Sequence, residues 1–489
     1  MLPRFEAAEP RYHVPGGWRV ESGYLTVPEA RSAASGWRGD EHVVRLYVSI
    51  VRSSNPHPRP DPVVLLSGGP GSSCRDMLES EARAELRQAI LAERDLIAFD
   101  QRGTGASDPV LDCADAVEAH IASVLSNEGS HARRQRFVSA TLACRERLAN
   151  SGVNLKAFNT IESAADIDDL RRVLGYEQIN LYGVSYGTRL ALVTMRDQPA
   201  GLRSVVLDST VPVQVSQYAQ GIANTAYSFD LLFERVAADP AAAAAFPRLR
   251  EVFRETVRRL NAEPDWVTFP HPINGANVRL PVSGELLTGV LCTLFYSTEA
   301  LPSLPRVIWD AHRGVYARVI EVVSELLAGV ERRSALGMYY CVNCCDDKVS
   351  DLLAEPITRQ SAAYPGMAAI PLMEFHLGEY IIPLCAAWGA REPGPAEFDP
   401  VSSDIPTLIL AGEYDQNTPA SWGRLAGETL SRSHFVEFPA TGHGVVARGH
   451  CAARLIAAFF RDPWRRPDTH CVDAIPSPDF ASYEEAGAA

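Results

Sequence analysis

The sequence predicts an α/β fold: a mostly parallel sheet covered by helices on both faces and interrupted, before its last strands, by a large, mainly helical insertion. Three observations predict it. Short apolar runs bounded by turn residues recur through the first 210 residues, with helix-like stretches between the later ones. From residue 213 to 400 that pattern gives way to helices and loops. Strand character then returns at 407–411 and 434–438. Strand and helix in alternation imply parallel pairing, because a crossover helix must carry the chain back to the same end of the sheet, and those helices then bury both faces.

The elements follow in chain order. Residues 43–51, 63–66, 96–99, 179–182 and 204–207 read as strands, each short, apolar and rich in Val, Ile, Leu or Phe. Between the third and fourth, residues 163–174 keep Ala164, Ile167, Leu170, Val173 and Leu174 at helical spacing, with Asp166, Asp168, Asp169 and Arg171 expected to face out. The insertion holds an alanine run at 241–245, an amphipathic stretch at 306–330 and a proline-rich connection at 392–395. A helix around 451–460 follows the last strand. The expected organisation is therefore a core in two parts, 1–212 and 401–489, with an inserted cap over 213–400.

Composition narrows the classes of partner. The chain has 489 residues, 46% hydrophobic and 22% charged, enough to bury a large core. A formal charge of −14 repels nucleic acid and anionic membrane alike, so neither is expected as a partner. No run of apolar residues is long enough to span a bilayer. The first twenty residues mix charges with Gly16-Gly17 and carry no apolar core of a secretory signal, which leads to an expectation of a cytoplasmic protein. Of ten cysteines only Cys341, Cys344 and Cys345 cluster, without the second Cys or His pair that a zinc site requires, so no metal and no cofactor is expected.

The chemistry is concentrated at Gly183-Val184-Ser185-Tyr186-Gly187, which lies between a strand and a helix. In such an elbow only glycine tolerates the crowding on either side of the serine, and the hydroxyl is left at a helix N-terminus, where developing negative charge is favoured. Five residues of this pattern also occur by chance; the flanking strand and helix give them meaning. A serine hydroxyl needs a base to take its proton and an acid to orient that base. Asp415 follows the returning strand in Gly412-Glu413-Tyr414-Asp415 and is the expected acid, with Asp208 as the rival one strand earlier. Thr418-Pro419 is expected to begin the next helix as cap and first-turn proline. His443 lies between two glycines after the last strand and is the expected base; His434 begins that strand and His450 falls in the next helix. The oxyanion donors should be the amide of Tyr186 and that of Gly69, in the loop Ser67-Gly68-Gly69-Pro70-Gly71.

Taken as a set, Gly68-Gly69-Pro70-Gly71, the run from Asp100 through Gln101-Arg102-Gly103-Thr104-Gly105-Ala106 to Ser107, the elbow with Thr188, and the turns at Asp415 and His443 resemble the proline iminopeptidase and tripeptidyl aminopeptidase branch of the α/β hydrolases. The likeness runs from Gly23-Tyr24-Leu25-Thr26-Val27-Pro28 to Cys471. It implies an α/β-hydrolase fold and a serine peptidase that removes residues from a free peptide N-terminus through an acyl-serine. It also implies cap carboxylates for the substrate ammonium, for which Asp346, Glu374 and Glu379 are the candidates. Exported relatives pair cysteines in a way that Cys113 with Cys144, Cys345 with Cys385, and Cys451 with Cys471 resemble.

Two departures bear on the expectation. Ser67 stands where proline iminopeptidases usually have histidine, which places the chain nearer the tripeptidyl branch. Ser22 stands where exported relatives carry a cysteine, which is consistent with an intracellular enzyme. An esterase, lactonase or amidase for a small specialised metabolite would use the same residues, and a non-catalytic binding protein could keep the fold.

Overall fold

A computed structural model of the chain describes residues 2–31, 42–329, 334–347 and 381–482. Nine strands form one sheet: β1 (Arg4–Ala8), β2 (Val20–Pro28), β3 (Val43–Val51), β4 (Arg59–Leu66), β5 (Arg94–Phe99), β6 (Ile179–Val184), β7 (Leu202–Asp208), β10 (Thr407–Gly412) and β11 (Ser433–Phe438). Their order is β1-β2-β3-β5-β4-β6-β7-β10-β11. The first three pairings, through β3 with β5, are antiparallel, and every later one is parallel. Two further strands, β8 (Asp265–Pro270) and β9 (Asn277–Val282), make a separate antiparallel hairpin within the insertion.

The period of two along each strand divides the core. Val64 and Leu66, Ile97 and Phe99, and Val205 and Leu207 join one apolar cluster, while Val63 and Leu65, Leu96 and Ala98, and Val206 join the other. Each face needs its own cover, which explains continuous apolar strands where a one-sided sheet would alternate.

Among the described residues, the helices of eight or more residues are α1 (Ala84–Leu91), α2 (Ala114–Val124), α3 (Ser130–Asn150), α4 (Thr160–Val173), α5 (Tyr186–Asp197), α6 (Gln217–Ala238), α7 (Leu249–Ala262), α8 (Gly284–Tyr296), α9 (Leu304–His312), α10 (Ala317–Ala328), α11 (Leu336–Asp346), α12 (Ile381–Trp388), α13 (Ala420–Gly427) and α14 (His450–Arg461). Leu86 and Ile90 of α1 and Leu455, Ile456 and Phe459 of α14 cover one face. Ile167 and Leu170 of α4 and Leu190 of α5 cover the other, in a cluster that continues without a break into α6, α7 and α8. The segment between β7 and β10 thus shares a core with the sheet.

Three expectations are corrected and one stretch is resolved further. Asp166 and Asp169 do not face out: Arg31 reaches both, at 2.7 and 2.6 Å, and the fully buried Arg102 also pairs with Asp166 at 2.7 Å. The amphipathic stretch beginning at Arg306 resolves into two helices, α9 and α10, because the chain turns at Gly314 with φ of 77°. The third disulfide partner is Cys344, not Cys345: bridges join Cys113–Cys144, Cys344–Cys385 and Cys451–Cys471. Cys345 is instead a buried free thiol, and burial beside Asp346 pushes its pKa well up. Finally, α13 begins at Ala420 after Pro419, and the Thr418 hydroxyl is spent on Asp415 rather than on capping the helix.

Candidate active site

Ser185 sits where β6 turns into α5, with φ of 56° and ψ of −127°. A serine in that region stores strain, so its surroundings must hold it there. They do so by hydrogen bonds on both sides. The Ser185 N–H donates to the Asp208 carbonyl at 3.0 Å, and the Ser185 carbonyl accepts from the Thr188 N–H at 2.8 Å and its hydroxyl at 2.6 Å. The flanking glycines are required by contact: a Cβ on Gly187 would collide with the Leu66 carbonyl, and one on Gly183 with the Gly187 carbonyl. The crowding expected of the elbow comes from the neighbouring strand β4 on one side and from the first turn of α5 on the other.

The end of β7 also fixes the His443 loop. Asp208 accepts from the Val445 N–H at 3.0 Å, and the Ser209 hydroxyl accepts from the Gly444 N–H at 2.9 Å. The last residue of β7 and the one that follows it therefore hold the elbow and the imidazole loop.

Asp415 follows β10 and is buried. Its carboxylate accepts from His443 Nδ1 at 2.9 and 3.0 Å, from the Thr418 hydroxyl at 2.6 Å, and from the Asn417 and Thr418 N–H groups at 3.1 and 3.0 Å. Burial alone would raise its pKa; the adjacent His443 and the bonds from His443 and Thr418 outweigh it and hold the carboxyl below its ordinary value. With Nδ1 given to Asp415, Nε2 of His443 is the free lone pair, and it is buried without a hydrogen-bond partner among the described residues.

The rival acid has another task. Asp208 accepts from the Tyr182 hydroxyl at 2.6 Å as well as from Val445, and burial pushes its pKa up.

The glycine loop after β4 approaches Ser185 closely. A Cβ on Gly68 would stand 3.0 Å from that of Ser185. The loop is held by the run that follows β5: Asp100 accepts from the Ser73 hydroxyl at 2.8 Å and the Cys74 N–H at 2.7 Å, and Gln101 Nε2 donates to the Ser67 carbonyl at 3.0 Å. Gly69, Ser185 and Tyr186 line one cavity of about 740 Å³, with Tyr296, Asn417 and Thr418 on its walls. A cavity of that size suits a small molecule or short peptide segment.

Asp346 does not line this cavity. It is half-buried, with burial raising its pKa, and it accepts from the Thr160 N–H at 3.2 Å and from the Thr160 hydroxyl, so its carboxyl caps the start of α4. It borders a separate space of about 10 Å³ with Thr160, Arg189, Arg196 and Glu397. Glu374 and Glu379 lie outside the described residues.

Sequence reasoning missed Tyr296 and assigned Thr418 to another task. The Tyr296 ring packs on the His443 imidazole with centroids 4.3 Å apart, and no local pattern announces that contact. The Asp-x-x-Thr spacing from Asp415 to Thr418 was legible as a side-chain-to-backbone turn. Among the described residues no group of three or more His, Cys, Asp or Glu could hold a metal ion, and no helix is long and apolar enough to cross a membrane.

The fold agrees with comparisons to known proteins. The alpha/beta hydrolase fold family matches residues 61–447. Serine protease Hip1 of Mycobacterium tuberculosis (strain ATCC 25618 / H37Rv) is 25% identical over 485 residues, covering 93% of this chain and 87% of that protein. Tripeptidyl aminopeptidase of Streptomyces lividans is 32% identical over 200 residues, 39% of this chain and 35% of its own length. Among solved structures, proline iminopeptidase of Mycobacterium smegmatis is 17% identical with a TM-score of 0.42, over 90% of this chain and 98% of that one. Elbow, strand order and matched family together identify the chain as a member of the alpha/beta hydrolase fold family, distantly homologous to the tripeptidyl aminopeptidases.

Proposed function

We propose that this protein is a serine hydrolase that cleaves short peptides from the free N-terminus through an acyl-serine at Ser185. The observation that carries the hydrolase reading is the hydrogen bond of His443 Nδ1 to buried Asp415 with Nε2 left unpartnered, at the sheet end where Ser185 opens into the cavity. In this mechanism Nε2 takes the Ser185 proton as Oγ attacks the acyl carbon, and the amides of Gly69 and Tyr186 receive the oxyanion. The imidazolium, oriented by Asp415, returns the proton to the leaving group, and water then releases the acyl product by the same steps. The peptidase reading is supported by the relatives named serine protease and tripeptidyl aminopeptidase.

One observation favours a second reading, an esterase or amidase acting on an acyl group without a free amine. Among the described residues lining the cavity, Arg189 carries a fixed charge and no carboxylate is present, whereas an ammonium taken out of water requires an acid partner. Glu374 and Glu379 are the remaining candidates for that partner.

Aminoacyl and tripeptidyl 4-nitroanilides, each with a free and an acetylated amine, separate the readings. Faster turnover of the free amines supports the aminopeptidase; equal turnover replaces it with the second reading. Labelling by a fluorophosphonate that is lost in Ser185→Ala supports both, and folded protein that takes no label is a binding protein.

A further inference from the structure

We propose that Arg189, Gln217 and Asn343 form a carboxylate-binding subsite in the wall of the Ser185 cavity, and that the substrate carries a free carboxylate about one helical turn from the bond that is cleaved. The proposal rests on Ser185 being the nucleophile and adds the chemical class of what is bound beside it.

Ser185 is the N-cap of α5 and Arg189 lies four residues further on, about one helical turn along its axis. Its side chain is buried but lines the cavity. It donates to two neutral acceptors, the carbonyls of Val213 at 2.8 Å and Val215 at 3.4 Å, and has no ion pair among the described residues. Arg94 and Arg102, equally buried, each hold an aspartate. Asp346 shares the small space behind Arg189 and feels its charge, but its carboxyl is hydrogen-bonded by Thr160, burial raises its pKa toward the neutral form, and it makes no direct ion pair with the guanidinium. A buried guanidinium without an anion is costly, and an arriving carboxylate supplies the missing partner in a geometry its planar fork matches.

A second observation is independent of that charge. Asn343 of α11 is 3% exposed and lines the same cavity. Its Oδ1 accepts from Gln217 Nε2 at 2.6 Å, while its Nδ2 is buried with no partner among the described residues. An unspent amide donor has a preference that an ammonium cannot meet and a carboxylate can. The two donors belong to one wall: Arg189 holds the carbonyl of Val215, and two residues on Gln217 bonds Asn343. That wall is braced from behind by Asp347, which accepts from the Ser216 hydroxyl at 2.5 Å and the Gln217 N–H at 2.9 Å.

The test compares glutaryl 4-nitroanilide with its near-isosteric primary amide, in which CONH2 replaces the carboxylate and removes its charge. Wild type is expected to favour the free acid in kcat/KM by about tenfold or more, the scale of a hydrogen bond to a charged group. That ratio should fall by about tenfold or more in Arg189→Gln and in Asn343→Asp. The second variant is nearly isosteric and keeps the acceptor for Gln217, so it serves if loss of the Val213 and Val215 contacts prevents Arg189→Gln from folding. If neither anilide turns over, the slowing of fluorophosphonate labelling by each compound at equal concentration gives the same ratio. A wild-type ratio near one, or a ratio unchanged by Asn343→Asp, overturns the subsite. Absence of labelling at Ser185 would instead remove the hydrolase reading itself.

Discussion

The main-chain N–H of His443 donates to the carbonyl of Tyr296 at 3.0 Å, and the Tyr296 ring lies against the imidazole it holds. Tyr296 is the last residue of α8, so a helix of the inserted segment sets the position of the proposed base. The same helix end accepts from Gln416 Nε2 at the Cys292 carbonyl, at 2.6 Å, and Thr298 just beyond it accepts from the Gly442 N–H at 3.1 Å. Both loops of the Asp–His pair are thereby fastened to α8, and its negative dipole end faces the group that would become cationic.

Tyr296→Ala should therefore lower kcat by about tenfold to a hundredfold, the scale of a misplaced catalytic group, while Tyr296→Phe stays within about threefold of wild type. Steady-state rates on the best 4-nitroanilide would decide this. Equal rates for the Ala and Phe variants would show that ring packing does not position the imidazole.

Asp415 and Asp208 should separate cleanly by activity. Asp415→Asn disturbs the tautomer that leaves Nε2 free and should cost about three to four orders of magnitude in kcat. Asp208→Asn keeps an acceptor for the Val445 N–H and should remain within about tenfold. A reversed order would make Asp208 the orienting acid.

The two carboxyls also have opposite linkage to pH. Asp415 has its pKa depressed in the fold, so it contributes stability above the unfolded value of about 4 that is lost as pH falls through the folded value. Asp208 has its pKa raised by burial, so the unfolded chain releases that proton first and stability declines as pH rises from about 4 through the folded value. The Tm of Asp208→Asn relative to wild type should consequently climb between about pH 4 and 7. A difference that stays constant across thermal denaturation in that range would contradict the assigned direction.

The disulfide pairing gives a count. Non-reduced, denatured protein should expose four thiols, those of Cys74, Cys292, Cys341 and Cys345. Cys345→Ser should leave the Cys344–Cys385 link intact, whereas Cys344→Ser should free Cys385 and lower stability by about 2–4 kcal/mol. Thiol titration with a maleimide, read by mass, checks both variants. We propose that the same measurement on protein taken from its native host reads the compartment: residence in a reducing cytosol keeps all ten cysteines reduced, whereas an oxidising compartment leaves the three bridges formed and four thiols free.

The sequence by itself determined the alternation of strand and helix, the elbow at Ser185, and the turns that carry Asp415 and His443. These are local signals: an apolar run ends, a glycine or charged turn follows, and the functional residue falls at the end of a strand. The hairpin β8 and β9 was not legible, since its strands are half exposed and carry no continuous apolar run. Only the tertiary structure decided which side of a helix each residue would meet. Cys344 and Cys345 are adjacent in α11, yet successive residues point about 100° apart, so one reaches Cys385 and the other turns to the interior beside Asp346. Asp346 caps α4 and Tyr296 meets His443 for the same reason: each partner lies at least one packed element away, and spacing along the chain carries no record of how helices are rotated against a sheet.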